Sequence, residues 1–247
     1  MTAVPSRKAE DWRYSDIAAV ARAWPVAAER IAVAAGGSER RMIAVNAGAG
    51  SATIRQIEID VGAGGELDLV IIVSGGAYGR VGLDVTLHAG ARFDLGGVIV
   101  ASGEQVQEIV TTVRHAGPGA TSRQTVRAVA GGTATATYLG KVAVARAGQQ
   151  TDAGQSFKAL LLARGATANA KPELEIFADD VKCAHGATVG ELDANSLFYL
   201  QSRGVPPAAA RALLMRAFLS DALAGIADAG EREAAEARVT ALLESAE

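Results

Sequence analysis

The chain has 247 residues, 24 basic and 27 acidic, for a net charge of -3, with 49% hydrophobic and only 4% aromatic content. Such a chain buries a substantial core in one main domain with appendages, and its balanced charge excludes an electrostatic bias toward nucleic acid or an anionic membrane. The single cysteine, Cys183, excludes an internal disulfide and suits a reducing compartment. No apolar run approaches the roughly 20 residues of a spanning helix, and the opening residues carry no signal-peptide core. The expected location is cytoplasmic.

The first segment, EDWRYSD at 10–16 followed by IAAVARAW, reads as a short helix that ends near Trp24, where Pro25 stops it. Trp12, Tyr14 and Ile17 are placed to pin it onto the body of the protein. From about Met42 to Gly190 the character changes. Runs such as TIRQIEIDV, ELDLVIIV, GLDVTLH, RFDLGGVIV, EIVTTVRH, SRQTVRAVA, ATYLGKVAVA and SFKALLLA alternate or run continuously apolar. Glycine-containing corners separate them at Gly64, Gly90, Gly119, Gly165 and Gly186. A β-sandwich fits many short strands. The absence of tight Asn-Gly or Asp-Gly hairpin turns, and ladders of Val, Ile, Leu and Ala suited to a narrow interior, favour stacked coils of a solenoid.

Through KPELEIFADDVKCAHGATVG the period stays near two, with Leu174, Ile176 and Ala178 on one face and Glu173, Glu175 and Phe177 on the other. Beyond Gly190 it becomes helical. Asp193 suits an N-cap for a helix through Arg203, and Gly204 suits its left-handed C′ position. Pro206 and Pro207 open a longer helix to about Asp228. Gly230 then breaks the chain before a charged third helix, 231–247, with a thin stripe of Ala235, Val239, Leu242 and Leu243. The expected organisation is an N-terminal helical segment at 1–41, a β core at 42–190 and a C-terminal helical domain at 191–247.

Cys183 and His185 lie two apart on a strand, so thiol and imidazole share a face. A lone cysteine is more often a small buried hydrophobe, but a thiolate beside an imidazole is a soft pair compatible with iron or zinc. Such ions take four ligands, and a chain with one cysteine cannot supply four thiolates. Any cluster is therefore shared with another chain or transient, and no cofactor is expected to be held stably by this chain alone. Glu173, Glu175, Asp179 and Asp180 are either oxygen ligands near the thiol or the solvated face of a strand and its turn. His88 and His115 read as ordinary exposed or hydrogen-bonded imidazoles. The two helices at 193–203 and 206–226 do not make a DNA-reading pair, since the second offers only Arg211 and Arg216. The glycine-rich stretches near Gly48 and Gly62 lack the Gly-Lys-Ser/Thr of a phosphate loop, and no GxSxG elbow is present. No enzyme active site is expected.

The run KPELEIFADDVKCAHGATVG, followed by ELD, LFYLQSRGV and ARALLMRAF, closely resembles the C-terminal signature of the SufD family, scaffold subunits of the Suf iron-sulfur cluster assembly system and relatives of SufB. SufB is expected to carry a glutamate-rich run where this chain has CAHGAT. EDWRYSD also resembles the N-terminal segment of Suf scaffolds, and the likeness is continuous from about Gln149 to Ile226. The resemblance implies a right-handed parallel β-helix core flanked by helices, a heterodimer with SufB, and docking of the ATPase SufC on the C-terminal helices. It implies that His185 lies at the SufB-SufD interface and assembles a transient cluster with a cysteine of SufB, Cys183 being secondary. By position in the motif, Arg203, Arg211 and Phe218 are the residues expected to meet SufC. The alternatives are a structural homodimer formed through the last strands and helices, and a metal-delivery protein.

Overall fold

The computed structural model describes residues 3–226 and 228–246. Glu247, the expected end of the last helix, lies outside them. Among the described residues twelve strands follow one another: β1 (Ala28–Val33), β2 (Ser38–Ala47), β3 (Ala52–Val61), β4 (Glu66–Gly75), β5 (Tyr78–Leu87), β6 (Arg92–Ala101), β7 (Val106–His115), β8 (Thr121–Ala130), β9 (Thr135–Val144), β10 (Thr151–Leu161), β11 (Thr167–Ile176) and β12 (Val181–Gly190). Odd strands stack in one parallel sheet, in the order β1-β3-β5-β7-β9-β11. Even strands stack in a second, β12-β10-β8-β6-β4-β2. Two strands make one coil, and six coils make a parallel β-solenoid.

Register follows from alternation. In the even sheet the row Ile43, Ile71, Gly97, Val126, Phe157, Ala187 runs along the axis, and its members within coils two to five point into the shared interior. A one-residue slip would turn every such row to solvent. Corners stack as well as strands. Gly36, Gly64, Gly90 and Gly119 adopt positive φ, and their N–H groups donate to carbonyls of the next coil at Ala63, Ala89, Pro118 and Gln149. Gln150, with φ 61, continues the ladder by donating to Asp180. Glycine is the cheapest residue in that conformation.

Several local expectations change. The solenoid begins with β1 and β2, upstream of Met42, because the exposed, charged faces of these strands hide the alternation. Gly186 is no corner; it lies inside β12. The long C-terminal helix stops at Ser220 as α3 (Pro207–Ser220) and tightens into a 3₁₀ turn, Asp221–Leu223. There the carbonyl of Ala222 lies so close to Gly96 that a Cβ would meet it at 2.1 Å. Gly230 does not break the chain but lies within the last helix, α4 (Ala229–Ala246).

α2 (Ala194–Ser202) is capped as expected by Asp193, whose carboxylate accepts from Asn195 and Ser196. Met215, Leu219, Ala222, Leu223, Ile226, Ala235, Val239 and Leu243 then cover Val70, Ile72, Val98, Val100 and Val129 on the outer face of the even sheet. Arg127 anchors this layer by donating to Asp221 at 2.8 Å.

Part of the outer face of the odd sheet, around Ile54, Tyr78 and Val106, is covered by the N-terminal segment. It contains a 3₁₀ turn, Glu10–Trp12, and α1 (Ile17–Ala23), capped by Asp16. Glu108 Oε2 accepts from Ser15, Tyr78 and Arg80 at 2.8, 2.9 and 2.7 Å, and the Arg80 guanidinium lies 3.8 Å from the Trp12 ring centroid. Glu10 pairs with Lys171 of β11, so the segment spans the sheet as far as the last coil. Among the described residues no helix is long and apolar enough to cross a membrane.

Candidate functional site at the open end of the solenoid

A solenoid has two ends, and here they differ. At the N-terminal mouth the first inward positions are charged and paired. Arg41 meets Glu39 at 2.7 Å, and Arg55 binds Glu29 through two contacts of 2.7 and 2.6 Å. These residues continue inward rows, since Glu39 and Arg41 align with Leu67 and Leu69 and Glu29 and Arg55 with Ile57 and Val81. Two ion pairs thus close an aliphatic interior to further strands.

Among the described residues the C-terminal mouth has no such lid. β12 pairs only with β10, and β11 only with β9. Cys183 ends the inward row Leu67, Phe93, Ser122, Ala153, and His185 ends the row Leu69, Leu95, Gln124, Gln155. All eight preceding residues are at most 4% exposed. Thiol and imidazole therefore belong to the interior by register, yet among the described residues no seventh coil covers them. Cys183 is half-buried beside Val142, Val144, Ala153 and Ala178, whereas His185 is exposed. Burial pushes the Cys183 thiol above its ordinary value; a contact with the Ala153 backbone opposes this, and the Asp152 charge adds to it. The thiol is protonated near neutrality and is no activated nucleophile. Around the pair, the inward positions Ala168, Ala170, Leu174, Ile176, Val181, Ala187 and Val189 are all aliphatic.

The acidic residues of the signature are elsewhere. Glu173 pairs with Lys171 at 3.0 Å, and Glu175 pairs with Lys141, both from strand positions that alternate with inward Leu174. Asp180 is engaged at the corner, its N–H donating to Gln149 at 3.0 Å, and Asp179 is exposed. Among the described residues no three His, Cys, Asp or Glu side chains converge as a metal site. Cys183 and His185 offer two soft donors at most. His88 meets Asp60 at 3.1 Å on an exposed corner. His115 is buried with Nε2 3.0 Å from Ser122 Oγ, and burial pulls its pKa down to about 4.

Sequence reasoning missed the polar layer behind the mouth. Gln124 Oε1 accepts from Thr111 at 2.6 Å and from Tyr138 at 3.2 Å. The next rung is Gln155, only 4% exposed, with neither amide atom hydrogen-bonded. Glutamines at inward positions of SRQTVRAVA and DAGQSF were the available signal.

On the C-terminal helices, Arg203 and Arg211 are exposed, with Arg203 5.3 Å from the Tyr199 ring centroid. Phe218 is half-buried against the Leu219 and Leu223 cluster. Exposed aromatic residues lie on α2, Phe198 at 72% and Tyr199 at 57%, and Leu213 of α3 is 41% exposed. A groove of about 420 Å³ between the even sheet and the C-terminal helices is lined by Arg40, Asp68, Asp94 and Arg123. Its charges already pair among themselves and their neighbours, as in Arg40 with Asp68 and Arg123 with Asp152.

Residues 16–218 match the family described as SUF system FeS cluster assembly, SufBD core domain. The match extends from α1 into α3, well upstream of the signature run. A SufBD family iron-sulfur cluster assembly protein of Synechocystis is 40% identical over 124 residues, 50% of this chain and 27% of that protein. The chloroplastic protein ABCI7 of Arabidopsis thaliana is 39% identical over 141 residues, 57% and 30% of the two chains. The iron-sulfur cluster assembly protein SufD of Escherichia coli is 34% identical over 135 residues, 55% and 32%. The aligned stretch thus spans about a third or less of each of these relatives.

Proposed function

Because the chain belongs to the SufBD core family, we propose that it is a non-catalytic, SufD-type scaffold subunit for iron-sulfur cluster assembly. Its C-terminal mouth pairs with SufB, and its C-terminal helices dock the ATPase SufC. One observation carries this reading: a soft thiol and imidazole end two interior rows on an uncapped rung, and two donors fall short of the four that a cluster iron needs. The missing ligands come from across the junction. The cluster is the product assembled there and not a resident cofactor, and ATP hydrolysis by SufC opens the junction so that iron and sulfide reach His185.

Phe198, Tyr199 and Leu213 supply the apolar centre of the SufC surface and Arg203 and Arg211 its charged rim, the arrangement usual for a docking site. Phe218 supports that surface from behind. Co-expression with SufB and SufC followed by sizing tests the assembly. His185→Ala is expected to leave the isolated chain folded, because the ring is exposed, while cluster formation by the complex is lost. Unchanged cluster yield overturns the proposal. Self-association without SufB or SufC favours the homodimer, and iron retained by the purified chain under anaerobic conditions favours metal delivery.

A further inference from the structure

Among the described residues, Gln155 has more buried side-chain atoms without a hydrogen-bond partner than any other. Both of its amide atoms are buried without a hydrogen-bond partner, although a buried amide left unpaired is costly. The aliphatic rows around it show that leucine or valine fits such a position. On one side of it in the ladder is Gln124, whose Oε1 is already engaged by Thr111 and Tyr138. On the other is His185. Parallel in-register strands set such side chains one above the next along the axis. The imidazole of His185 is therefore the neighbouring group able to complete the amide from the mouth side.

We infer that Gln155 is a positioning residue for His185: neither amide atom is bonded while the ring stands in its exposed setting, and when the ring turns inward over the rung below, Oε1 accepts its N–H and leaves the lone pair of the other ring nitrogen facing the mouth. A metal-binding imidazole needs this arrangement, with one nitrogen held as donor and the other kept free. The inference rests on the assembly reading for its purpose, but its geometry concerns the free chain and is tested there. Gln155 acts through His185 and touches no iron in this scheme.

The chain has three histidines, so nitrogen-edited NMR of the full-length protein resolves each ring, with buried His115 and corner His88 as internal references. Under conditions where the ring is neutral, His185 is expected in a single tautomer. Gln155→Leu should release it to the mixture typical of a free imidazole, with an unchanged or higher melting temperature as the folding control. Gln155→Glu, which only accepts when ionised, should keep the wild-type tautomer. A mixed His185 tautomer in the wild type, no change in Gln155→Leu, or a reversed tautomer in Gln155→Glu overturns the inference. In the reconstituted complex, Gln155→Leu should weaken uptake of ferrous iron by roughly 10- to 100-fold. If the tautomer responds as expected but His185→Ala leaves cluster yield intact, the assembly reading fails while the positioning role stands.

Discussion

Removing Glu108 tests the attachment of the N-terminal segment. Its carboxylate and the Arg80 guanidinium are 1% and 2% exposed at the side chain, and Glu108→Ala strips three donors of their acceptor at once. Breaking a buried pair by deleting one partner costs about 3–5 kcal/mol, because the remaining charge stays desolvated. Arg80 has one escape: if residues 3–24 lift from the sheet, its guanidinium reaches water. The segment should therefore detach before the solenoid melts, since each coil is held mainly by its neighbours. Both tryptophans of the chain, Trp12 and Trp24, lie in this segment, their rings 5.7 Å apart edge to face. Tryptophan fluorescence thus reports the segment, and far-ultraviolet dichroism reports the strands. With a urea slope of about 1–3 kcal/mol per molar, a loss of about 3 kcal/mol moves the fluorescence midpoint down by at least about 1 M, while the dichroism midpoint moves less. Arg80→Met with Glu108→Leu should recover much of the loss, because no charge is then stranded. Coincident midpoints close to the wild type in Glu108→Ala, or a double variant worse than the single, would refute the reasoning.

Two further predictions follow from the interior and from the N-terminal mouth. His115 titrates at about 4 when folded, against an ordinary 6.5. The unfolded chain then binds the proton first, so stability is fully present above pH 6.5, falls as the pH drops toward 4, and levels off below. The gap is worth at most about 3 kcal/mol, and His115→Gln should flatten that part of a denaturation-versus-pH curve. Replacing Glu29, Glu39, Arg41 and Arg55 by Val, Val, Leu and Val should expose an aliphatic mouth to its opposite on another molecule, a head-to-tail contact that does not close. Sedimentation should show polymers that lengthen with concentration, and a variant no more associated than the wild type would count against the charged lid.

Much of the solenoid was legible because its punctuation is local. Gly64, Gly90 and Gly119 needed only their own backbone demands to mark corners, and Asp193 and Gly204 marked the two ends of α2 in the same way. What depended on distant partners was hidden. Nothing local to Arg80 and Glu108 marks them as buried, since the segment that covers them joins through Ser15, 93 residues from Glu108. The end of α3 was hidden for a similar reason. Leu214, Phe218, Ala222 and Ile226 keep helical spacing past Ser220, and only the close approach of Ala222 to Gly96 turns the chain.

The site was half legible for a reason of parity. Alternation places Cys183 and His185 on one face without saying which face is inward. Deciding that requires the register of the preceding strands, which also carries Gln124 and Gln155 into the interior. Once parity is fixed, the contrast between the ends has a consequence. Side chains of interior rows are shielded in the middle coils, so chemistry placed on those rows is reachable only at an end of the stack. On the assembly reading, a partner that caps the mouth supplies the absent ligands and excludes water in one movement, and separating the two chains reverses both. A cleft on the outer face would couple neither ligand supply nor access to the joining of two chains.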